Sequence, residues 1–440
     1  KLYLGQGKSE SALKVLTDIP RDDLFGSADL VQQLAEVGVE LRRYEIALAA
    51  QQVLVKHQPH NLQHQIRLAQ LFNFNGLCKE ELEIYETCLK DPETRMQALL
   101  LKTFSTPPFY NTESEIAAAR TRVEDNLPLF REEARRELKQ DARALHLMLS
   151  THTNFSLGYQ QENDRKIQES FGEILHETND ALFGSKAQTT GTGAKPQITF
   201  YSHFIWNHTV GKLFHRWMTG LTQAGFDVAV VSSHAETDSM TQKIQESVTH
   251  FEMVGHDVAA SIKALRKLHT DILIFPELGM DSIAISVASV RNAPLQCMAW
   301  GHPITSGLPT MDVFLTSDLM EPNDGQNHYS EKLIKLPGLS VEYEAPTLPE
   351  RPFTRTELGL PEERTLILSC QTLYKLLPRY DEAYIDILRR SPAADLVFIA
   401  NRSRYITEQF RLRMSKAMTS AGLNPERLHL VGPLPHPAYL

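Results

Sequence analysis

The hydrophobic pattern of the chain changes character near residue 197. Before this point apolar residues recur at helical spacing, as they do over residues 46–54. After it, short apolar runs of the kind found in buried strands alternate with helical stretches. Such alternation is typical of βαβ units that build a parallel sheet. The pattern therefore predicts an all-α region followed by an α/β region.

Three apolar helical stretches in the first hundred residues each lead to a proline. Pro20, Pro59 and Pro92 are 39 and 33 residues apart, close to the period of about 34 residues in tetratricopeptide repeats. Most aromatic signature positions of that repeat are absent. We therefore predict degenerate tetratricopeptide-like repeats over residues 1–100, which would offer a concave surface to an extended partner. A plain helical bundle is the alternative.

Two further segments are predicted to connect the repeats with the α/β region. Residues 101–183 show an interrupted helical pattern, with one helix predicted over 113–126. The run of alternating charges at 130–145 is typical of a helical face that points to solvent. Residues 184–196, rich in Gly and Thr, are predicted to form a flexible linker and a domain boundary.

The α/β region contains two series of alternating strands and helices. Strands are predicted at 197–202, 226–233, 271–278, 295–300, 313–315, 365–370, 395–400 and 428–432. We assign the first five strands to a Rossmann-like domain over 197–345 and the last three to a second, facing Rossmann-like domain over 361–440. Because three strands are too few for a closed domain of this type, we expect the chain to be incomplete at its C-terminus.

Composition narrows the classes of partner. A net charge of −9 argues against general affinity for nucleic acid or for an anionic membrane surface. No apolar run approaches the roughly 18 residues that a membrane-spanning helix needs. The four cysteines are scattered without a CxxC pair, so neither a zinc cage nor a disulfide framework is predicted, and a cytoplasmic location fits best. The sequence specifies no oligomeric state, and its start at Lys1 leaves an upstream targeting segment open.

The segment PLQCMAWGHPITSGLPTMDVFLTSD (294–318) joins two predicted strands through an unusual loop. Because ligands bind in the crevice at the carboxyl ends of parallel strands, this loop is a candidate cleft wall. A rigid connector whose hydroxyl groups cap local backbone is the alternative. The loop combines stiff, flexible and hydrogen-bonding residues: His302, Pro303, Thr305, Ser306 and Gly307.

Other strand ends carry further candidates. His208 follows the first strand at a helix N-terminus, whose positive end favours a neutral imidazole, although a capping or surface histidine is the alternative. Glu277 and Asp281 close a second strand end, where they would hold a sugar hydroxyl or cap the next helix. Lys375 follows the strand at 365–370 and is placed to meet a diphosphate, with a solvated lysine as the alternative.

Several motifs of nucleotide and metal sites are missing. No GxGxxG follows a strand and no GxxxxGK[ST] occurs, which argues against dinucleotide and P-loop sites. No Asp-x-Asp pair is present to hold a divalent cation. The three histidines of HQPHNLQH (57–64) lack an accompanying acidic or thiol ligand. We therefore predict no metal site.

Five ordered motifs carry a resemblance to a known family. They are NHTVGKLF (207–214), FPELGMD (275–281), QCMAWGHPITSGLPTMDVFLTSD (296–318), HYSEKLIKLPGL (328–339) and CQTLYKLLP (370–378). Together they resemble the catalytic region of the SPINDLY/O-GlcNAc transferase family in its bacterial branch. The segment FSLGYQQENDRKIQESFG (155–172) is similar to the connector that bacterial members place between repeats and catalytic region. The resemblance implies a GT-B-like α/β catalytic region, its second Rossmann-like domain truncated, after an all-α tetratricopeptide-like solenoid.

The resemblance also implies an activity. The family transfers a sugar from a nucleotide sugar to Ser or Thr of proteins, with inversion and without a metal or other cofactor. We expect UDP-GlcNAc as donor and a protein or peptide along the repeat surface as acceptor. GDP-fucose is the nearest alternative donor, and transfer of a hexose to asparagine is a wider one. A catalytically inert repeat-based adaptor and a nucleotide-sugar epimerase are the alternatives from other classes.

Residue roles follow from the same resemblance. His208 matches the active-site histidine, which acts as a base or as a polar contact near the reacting hydroxyl. Lys375 matches the lysine that neutralises the leaving diphosphate, and Gln371 and Thr372 beside it are expected to contact the nucleotide sugar. The loop over 302–307 matches a wall of the cleft. Several family members have a tyrosine where His302 stands, so His302 is assigned no catalytic step.

Overall fold

The computed structural model describes residues 8–185, 195–346, 348 and 351–433. The chain divides into two units, one of residues 1–125 with 346–440 and the other of residues 126–345. Most of the predicted linker at 184–196 lies outside the described residues, as do the last seven positions of the predicted second Rossmann-like domain. The predicted domain boundaries therefore stay predictions.

Helices and strands alternate most regularly in the C-terminal half of the chain. In chain order, the helices are α1 (Ser9–Thr17), α2 (Arg21–Gly26), α3 (Ala28–Glu40), α4 (Tyr44–His57), α5 (Leu62–Phe74), α6 (Cys78–Cys88), α7 (Arg95–Phe104), α8 (Glu113–Leu149), α9 (Arg165–Phe183), α10 (Thr209–Gln223), α11 (Ser239–Gln245), α12 (Val258–Lys267), α13 (Ser282–Ala288), α14 (Asp381–Arg390) and α15 (Arg404–Ser420). The strands are β1 (Gln197–Ser202), β2 (Asp227–Ser232), β3 (His250–Met253), β4 (Ile272–Phe275), β5 (Leu295–Ala299), β6 (Val313–Ser317), β7 (Lys332–Leu336), β8 (Thr365–Ser369), β9 (Ala394–Ile399) and β10 (Leu428–Val431).

The first unit begins with paired helices. Helix α3 packs on α4 and α5 packs on α6. Gly38 of α3 lies so close to Ala47 of α4 that an added Cβ atom would sit 2.9 Å from the Ala47 nitrogen. The predicted helical stretches before Pro20, Pro59 and Pro92 are confirmed as α1, α4 and α6. Consecutive packed helix pairs are what tetratricopeptide-like repeats require.

The same unit contains a three-stranded parallel sheet in the order β10-β9-β8. Helices α14 and α15 cover it, and their apolar faces build a buried core around Phe398 and Phe410. Phe109, from the segment after α7, packs edge-on against Phe410 at 6.3 Å between ring centroids. Arg413 of α15 is buried and pairs with Asp381 at 3.0 Å. The segment that follows the helical repeats therefore contributes a side chain to the core of the small sheet.

The long helix α8 begins at Glu113, as predicted, but it does not end at residue 126. It runs through Pro128 and reaches Leu149, with non-helical backbone at Asp141 (φ −149°, ψ 88°). The Asp141 carboxylate accepts a hydrogen bond from the Ala144 N–H at 2.9 Å, which restarts the helix.

The charged run at 130–145 lies within α8. Arg131 and Arg135 form ion pairs with Glu173 and Glu177 of α9. Arg131 and Arg135 remain 36% and 43% exposed, as a solvated face predicts, but they also bind carboxylates of a helix further along the chain, which the sequence pattern did not indicate.

The second unit is built on a seven-stranded parallel sheet in the order β3-β2-β1-β4-β5-β6-β7. The predicted strands that became β1, β2, β4, β5 and β6 are confirmed. The strand order reverses between β1 and β4, and in such sheets the ligand crevice lies at the carboxyl ends of the strands at this point. Strands β3 and β7 were missed, because both are edge strands with partly exposed, charged positions in place of a continuous apolar run.

Candidate functional site

The carboxyl ends of β1 and β4 are joined by a buried hydrogen-bond network. Ser202 Oγ donates to Glu277 Oε1 at 2.8 Å, and the backbone N–H of His203 also donates to this carboxyl group. Burial, with a smaller contribution from the nearby charge of Asp281, raises the pKa of Glu277 from its usual 4.5 to about 8. At neutral pH Glu277 is therefore mainly a neutral acid.

His208 is itself the N-cap of α10, as the alternative of a capping histidine held. Its Nδ1 atom accepts a hydrogen bond from the Val210 N–H at 3.2 Å. The ring stacks on Phe204 at 4.5 Å and lies 5.1 Å from the ring of Trp206, measured between centroids. Because Nδ1 is the acceptor, a neutral His208 carries its proton on Nε2. In this state the ring is a hydrogen-bond donor.

The turn before α10 needs a glycine in the first helical turn. An added Cβ on Gly211 would lie 2.2 Å from the carbonyl oxygen of Trp206. The backbone N–H of Asn207 is held by Asp238 Oδ2 at 2.6 Å. The motif NHTVGKLF therefore fixes the approach of β1 to α10, and with it the position of His208.

Asp281 caps the helix that follows β4, as the alternative interpretation held. Its Oδ1 atom accepts from the Ala284 N–H at 2.8 Å, while Oδ2 lies 2.7 Å from Nε2 of His256. These distances between protein atoms do not test the predicted contacts of Glu277 and Asp281 with a sugar hydroxyl, which stay predictions. Both carboxyl groups nevertheless lie at the carboxyl edge of the seven-stranded sheet, in the same unit as His208.

The hydroxyl groups of the β5–β6 loop bind a carboxylate of the protein. Thr305 Oγ1 donates to Glu331 Oε2 at 2.6 Å, and the Ser306 N–H donates to Glu331 Oε1 at 2.9 Å. The Ser306 hydroxyl also donates to Glu331 Oε1. Glu331 is buried and directly precedes β7. The loop is thus tied to the next strand, which supports the rigid-connector interpretation for these two hydroxyls.

The same loop is packed against α9 through two glycines. Gly307 has φ +68°, and an added Cβ there would lie 2.1 Å from the carbonyl carbon of Gln168. A Cβ on Gly172 of α9 would lie 2.4 Å from the Gly307 oxygen. Helix α9 and the loop therefore touch backbone to backbone. A side chain larger than that of glycine at either position would prevent this contact.

His302 and Pro303 begin this loop. The His302 ring is buried, stacks on Phe155 at 5.2 Å between centroids, and lies close to Gly279. Burial lowers the pKa of His302 to about 4, so the ring is neutral at physiological pH. Its Nε2 atom has no hydrogen-bond partner among the described residues. Pro303 accepts a long hydrogen bond from the Tyr329 hydroxyl at 3.4 Å.

The predicted nucleotide-sugar residues belong to the first unit. Gln371 and Thr372 follow the end of β8 and are exposed, and Lys375 ends a short 3-10 helix, half-buried. The Lys375 N–H donates to the Thr372 oxygen at 3.0 Å, and its ammonium lies 6.0 Å from the Tyr374 ring centroid. The roles assigned to these residues, and to those in the second unit, stay predictions.

Sequence reasoning missed three histidines at the same sheet edge. His203, His234 and His256 follow the ends of β1, β2 and β3 within three residues. That position relative to a strand end was the available signal, but it was not visible for β3, which was not predicted. Glu331 was also missed, although it lies within the motif HYSEKLIKLPGL.

No helix in the described parts of the chain combines the length and the apolar character needed to cross a membrane.

Comparison with known proteins identifies relatives of the chain. Residues 169–340 match the family model "Glycosyl transferase family 41". A protein of Solanum lycopersicum, "Probable UDP-N-acetylglucosamine--peptide N-acetylglucosaminyltransferase SPINDLY", is 23% identical over 239 residues, which are 53% of this chain and 25% of that protein. The "UDP-glucose:protein N-beta-glucosyltransferase" of Actinobacillus pleuropneumoniae is 25% identical over 185 residues, 41% of this chain and 29% of that protein. The chain thus spans about a quarter of the length of these curated relatives.

A comparison with solved structures supports the fold. A mutant of an O-GlcNAc transferase from Thermobaculum terrenum matches with a TM-score of 0.62 at 17% identity. The match covers 96% of this chain and 76% of that chain. It confirms the predicted fold class, an all-α region followed by GT-B-like α/β structure. In sequence and in fold the chain is thus similar to the SPINDLY/O-GlcNAc transferase glycosyltransferases, as the resemblance of its motifs predicted.

Proposed function

We propose that the protein is an inverting, metal-independent protein O-glycosyltransferase. The leading donor is UDP-GlcNAc, and the acceptor is a Ser or Thr hydroxyl of a protein that lies along the helical repeats. The observation that carries this proposal is the family-model match over residues 169–340. That range includes the carboxyl ends of all seven strands of the large sheet, among them Ser202 of β1 and Leu336 of β7.

His208 is proposed as a polar contact to the reacting groups. Its Nδ1 lone pair is used by the helix cap, so the proton of the neutral ring sits on Nε2 and can be donated in a hydrogen bond. The positive end of α10 disfavours an imidazolium at this position. Action as a general base would require the ring to leave the cap first, which is why the polar contact is the preferred role.

Lys375 is proposed to stabilise the leaving diphosphate. Negative charge grows on the diphosphate as the glycosidic bond breaks, and a fixed cation lowers the energy of that transition state without a metal. The position of Lys375 after the carboxyl end of β8 supports this role, because anionic ligands bind at this edge of parallel sheets. Gln371 and Thr372 would contact the nucleotide sugar beside it.

A second candidate is transfer of glucose to asparagine. It is favoured by the relative from Actinobacillus pleuropneumoniae, whose name gives UDP-glucose as donor and an N-β-linkage as product. GDP-fucose as donor for O-linked transfer stays a further alternative. All three share a nucleoside diphosphate as leaving group, so one assay separates them.

The test is nucleoside diphosphate release from UDP-GlcNAc, UDP-glucose and GDP-fucose by the full-length protein. We expect release of UDP from UDP-GlcNAc to be fastest. Faster release from UDP-glucose or GDP-fucose would identify that nucleotide sugar as the donor in place of UDP-GlcNAc. Absence of release from all three donors would contradict the proposed glycosyltransferase activity and favour an inert adaptor. Formation of an epimerised nucleotide sugar would favour an epimerase.

A further inference from the structure

Histidines gather at the carboxyl edge of the seven-stranded sheet. His203, His234 and His256 follow neighbouring strands, so their rings meet although they are distant in sequence. The ring centroid of His203 lies 4.9 Å from that of His256 and 5.3 Å from that of His234. Asp281 approaches from the other side of β1, after β4. This edge therefore collects imidazoles and a carboxylate that no local motif connects.

We propose that His203, His256 and Asp281 form a binding site for a divalent transition-metal ion such as Zn²⁺. One ring nitrogen of each histidine and one carboxylate oxygen of Asp281 all lie within 4.8 Å of one another. Among the described residues, it is the one group of three or more His, Cys, Asp or Glu side chains found close enough together to hold a metal ion. Two imidazoles and one carboxylate are a donor set that holds Zn²⁺ in three-ligand sites with an open fourth position.

The remaining atoms of two ligands are already oriented by hydrogen bonds. His203 Nδ1 lies 3.2 Å from Ser233 Oγ, which leaves Nε2 for the ion. Asp281 Oδ1 accepts from the Ala284 N–H, which leaves Oδ2. Such outer contacts fix the ring and the carboxylate in the direction of a metal, and protein metal sites regularly have them.

The third ligand provides the entrance. The His256 side chain is 48% exposed, whereas that of Asp281 is 9% exposed. His256 Nε2 and Asp281 Oδ2 share a hydrogen bond of 2.7 Å, which the ion would replace while the His256 proton moves to Nδ1. An ion arriving from solvent would therefore meet the exposed imidazole first and the buried carboxylate next.

Glu277 adds a further acidic group to the same network. It is bound to Ser202 and to the backbone N–H of His203, and its Oε2 atom has no hydrogen-bond partner among the described residues. A buried carboxyl oxygen without a protein partner is available to a water molecule or to a ligand. The proposed sugar transfer needs no metal, so a test of Zn²⁺ binding does not depend on the outcome of the transfer assay.

The test uses equilibrium dialysis of the full chain against Zn²⁺, together with the visible absorption of Co²⁺ in the same site. The variants are Asp281→Asn, which keeps an oxygen to cap α13, and His256→Asn. The matched control is His269→Asn, at the opposite edge of the sheet, where φ is 53° and Asn is readily tolerated.

We expect one Zn²⁺ per chain, an affinity reduced about tenfold or more in both site variants, and no change in the control. The Co²⁺ bands should weaken in the same two variants only. Absence of stoichiometric binding, or equal binding by wild type and both site variants, would overturn the proposal. If Asp281→Asn does not fold, the His256→Asn variant decides, because the exposed His256 caps no helix.

Discussion

Glu277→Gln is predicted to change how the stability of the second unit depends on pH. In the folded chain the pKa of Glu277 is raised from 4.5 to about 8, chiefly by burial. Between these two pH values the unfolded chain has released the proton while the folded chain still holds it. The free energy of unfolding therefore falls as pH rises through this window, and the fall ends above about pH 8.

The size of the effect follows from the width of the window. Each pH unit inside it costs about 1.4 kcal/mol, so wild type should lose about 3 kcal/mol between pH 5 and pH 8 through this one group. Glutamine is neutral at all these pH values and its amide oxygen can still accept from Ser202, so the variant should lack this loss. The variant should therefore gain stability relative to wild type as pH rises.

The assay is denaturant unfolding followed by tryptophan fluorescence. All three tryptophans, Trp206, Trp217 and Trp300, belong to the second unit, so the signal reports on the part of the chain that contains Glu277. The matched control is Glu236→Gln, at an exposed position. Wild-type and Glu277→Gln stabilities that change in parallel from pH 5 to pH 8 would refute the reasoning.

Three further substitutions test the packing around the sheets. Gly211→Ala should destabilise the second unit by about 2 kcal/mol or more, because the new methyl group would lie 2.2 Å from the Trp206 oxygen. Gly220→Ala lies on the same helix, where an added Cβ atom would meet no atom within 4 Å, and it should instead stabilise the unit by up to about 1 kcal/mol. Denaturant midpoints measure the effects of both substitutions, and equal effects would contradict the close contact at Gly211. Arg413→Met should cost the first unit about 3 kcal/mol, because it leaves the Asp381 carboxylate without its buried partner. A thermal melt of Arg413→Met with Asp381→Asn should recover part of the loss, and no recovery would argue against the pair.

The strands of the sheets were predictable where apolar residues form continuous runs. β1, β2, β4 and β5 are buried on both faces, and their sequences show it directly. β3 lies at the edge, carries polar side chains and was missed for that reason. Long-range pairing explains the other misses, since the ion pairs between α8 and α9 depend on partners about forty residues away.

The sequence allowed the residues of the candidate site to be named, but it did not reveal most of their hydrogen-bond partners. The motifs placed His208 at a helix N-terminus and left a capping role open, and the folded structure decides that its Nδ1 atom is the cap. The hydroxyls of Thr305 and Ser306 accept from local backbone N–H groups, as the rigid-connector alternative held, but they also donate to Glu331, 25 or more residues later. Spacing along the chain carries no information about such a partner.

The rate of UDP release from UDP-GlcNAc, compared among wild type, His208→Asn and Lys375→Ala, tests the central claim most directly. Asparagine keeps a cap for α10, whereas the simpler His208→Ala also removes it, so His208→Asn separates function from stability. Each variant is predicted to lower the rate by about tenfold or more with nearly unchanged melting temperature, and Lys375→Ala should also weaken UDP binding. Wild-type rates in both variants, or equal UDP affinity in wild type and Lys375→Ala, would contradict the account.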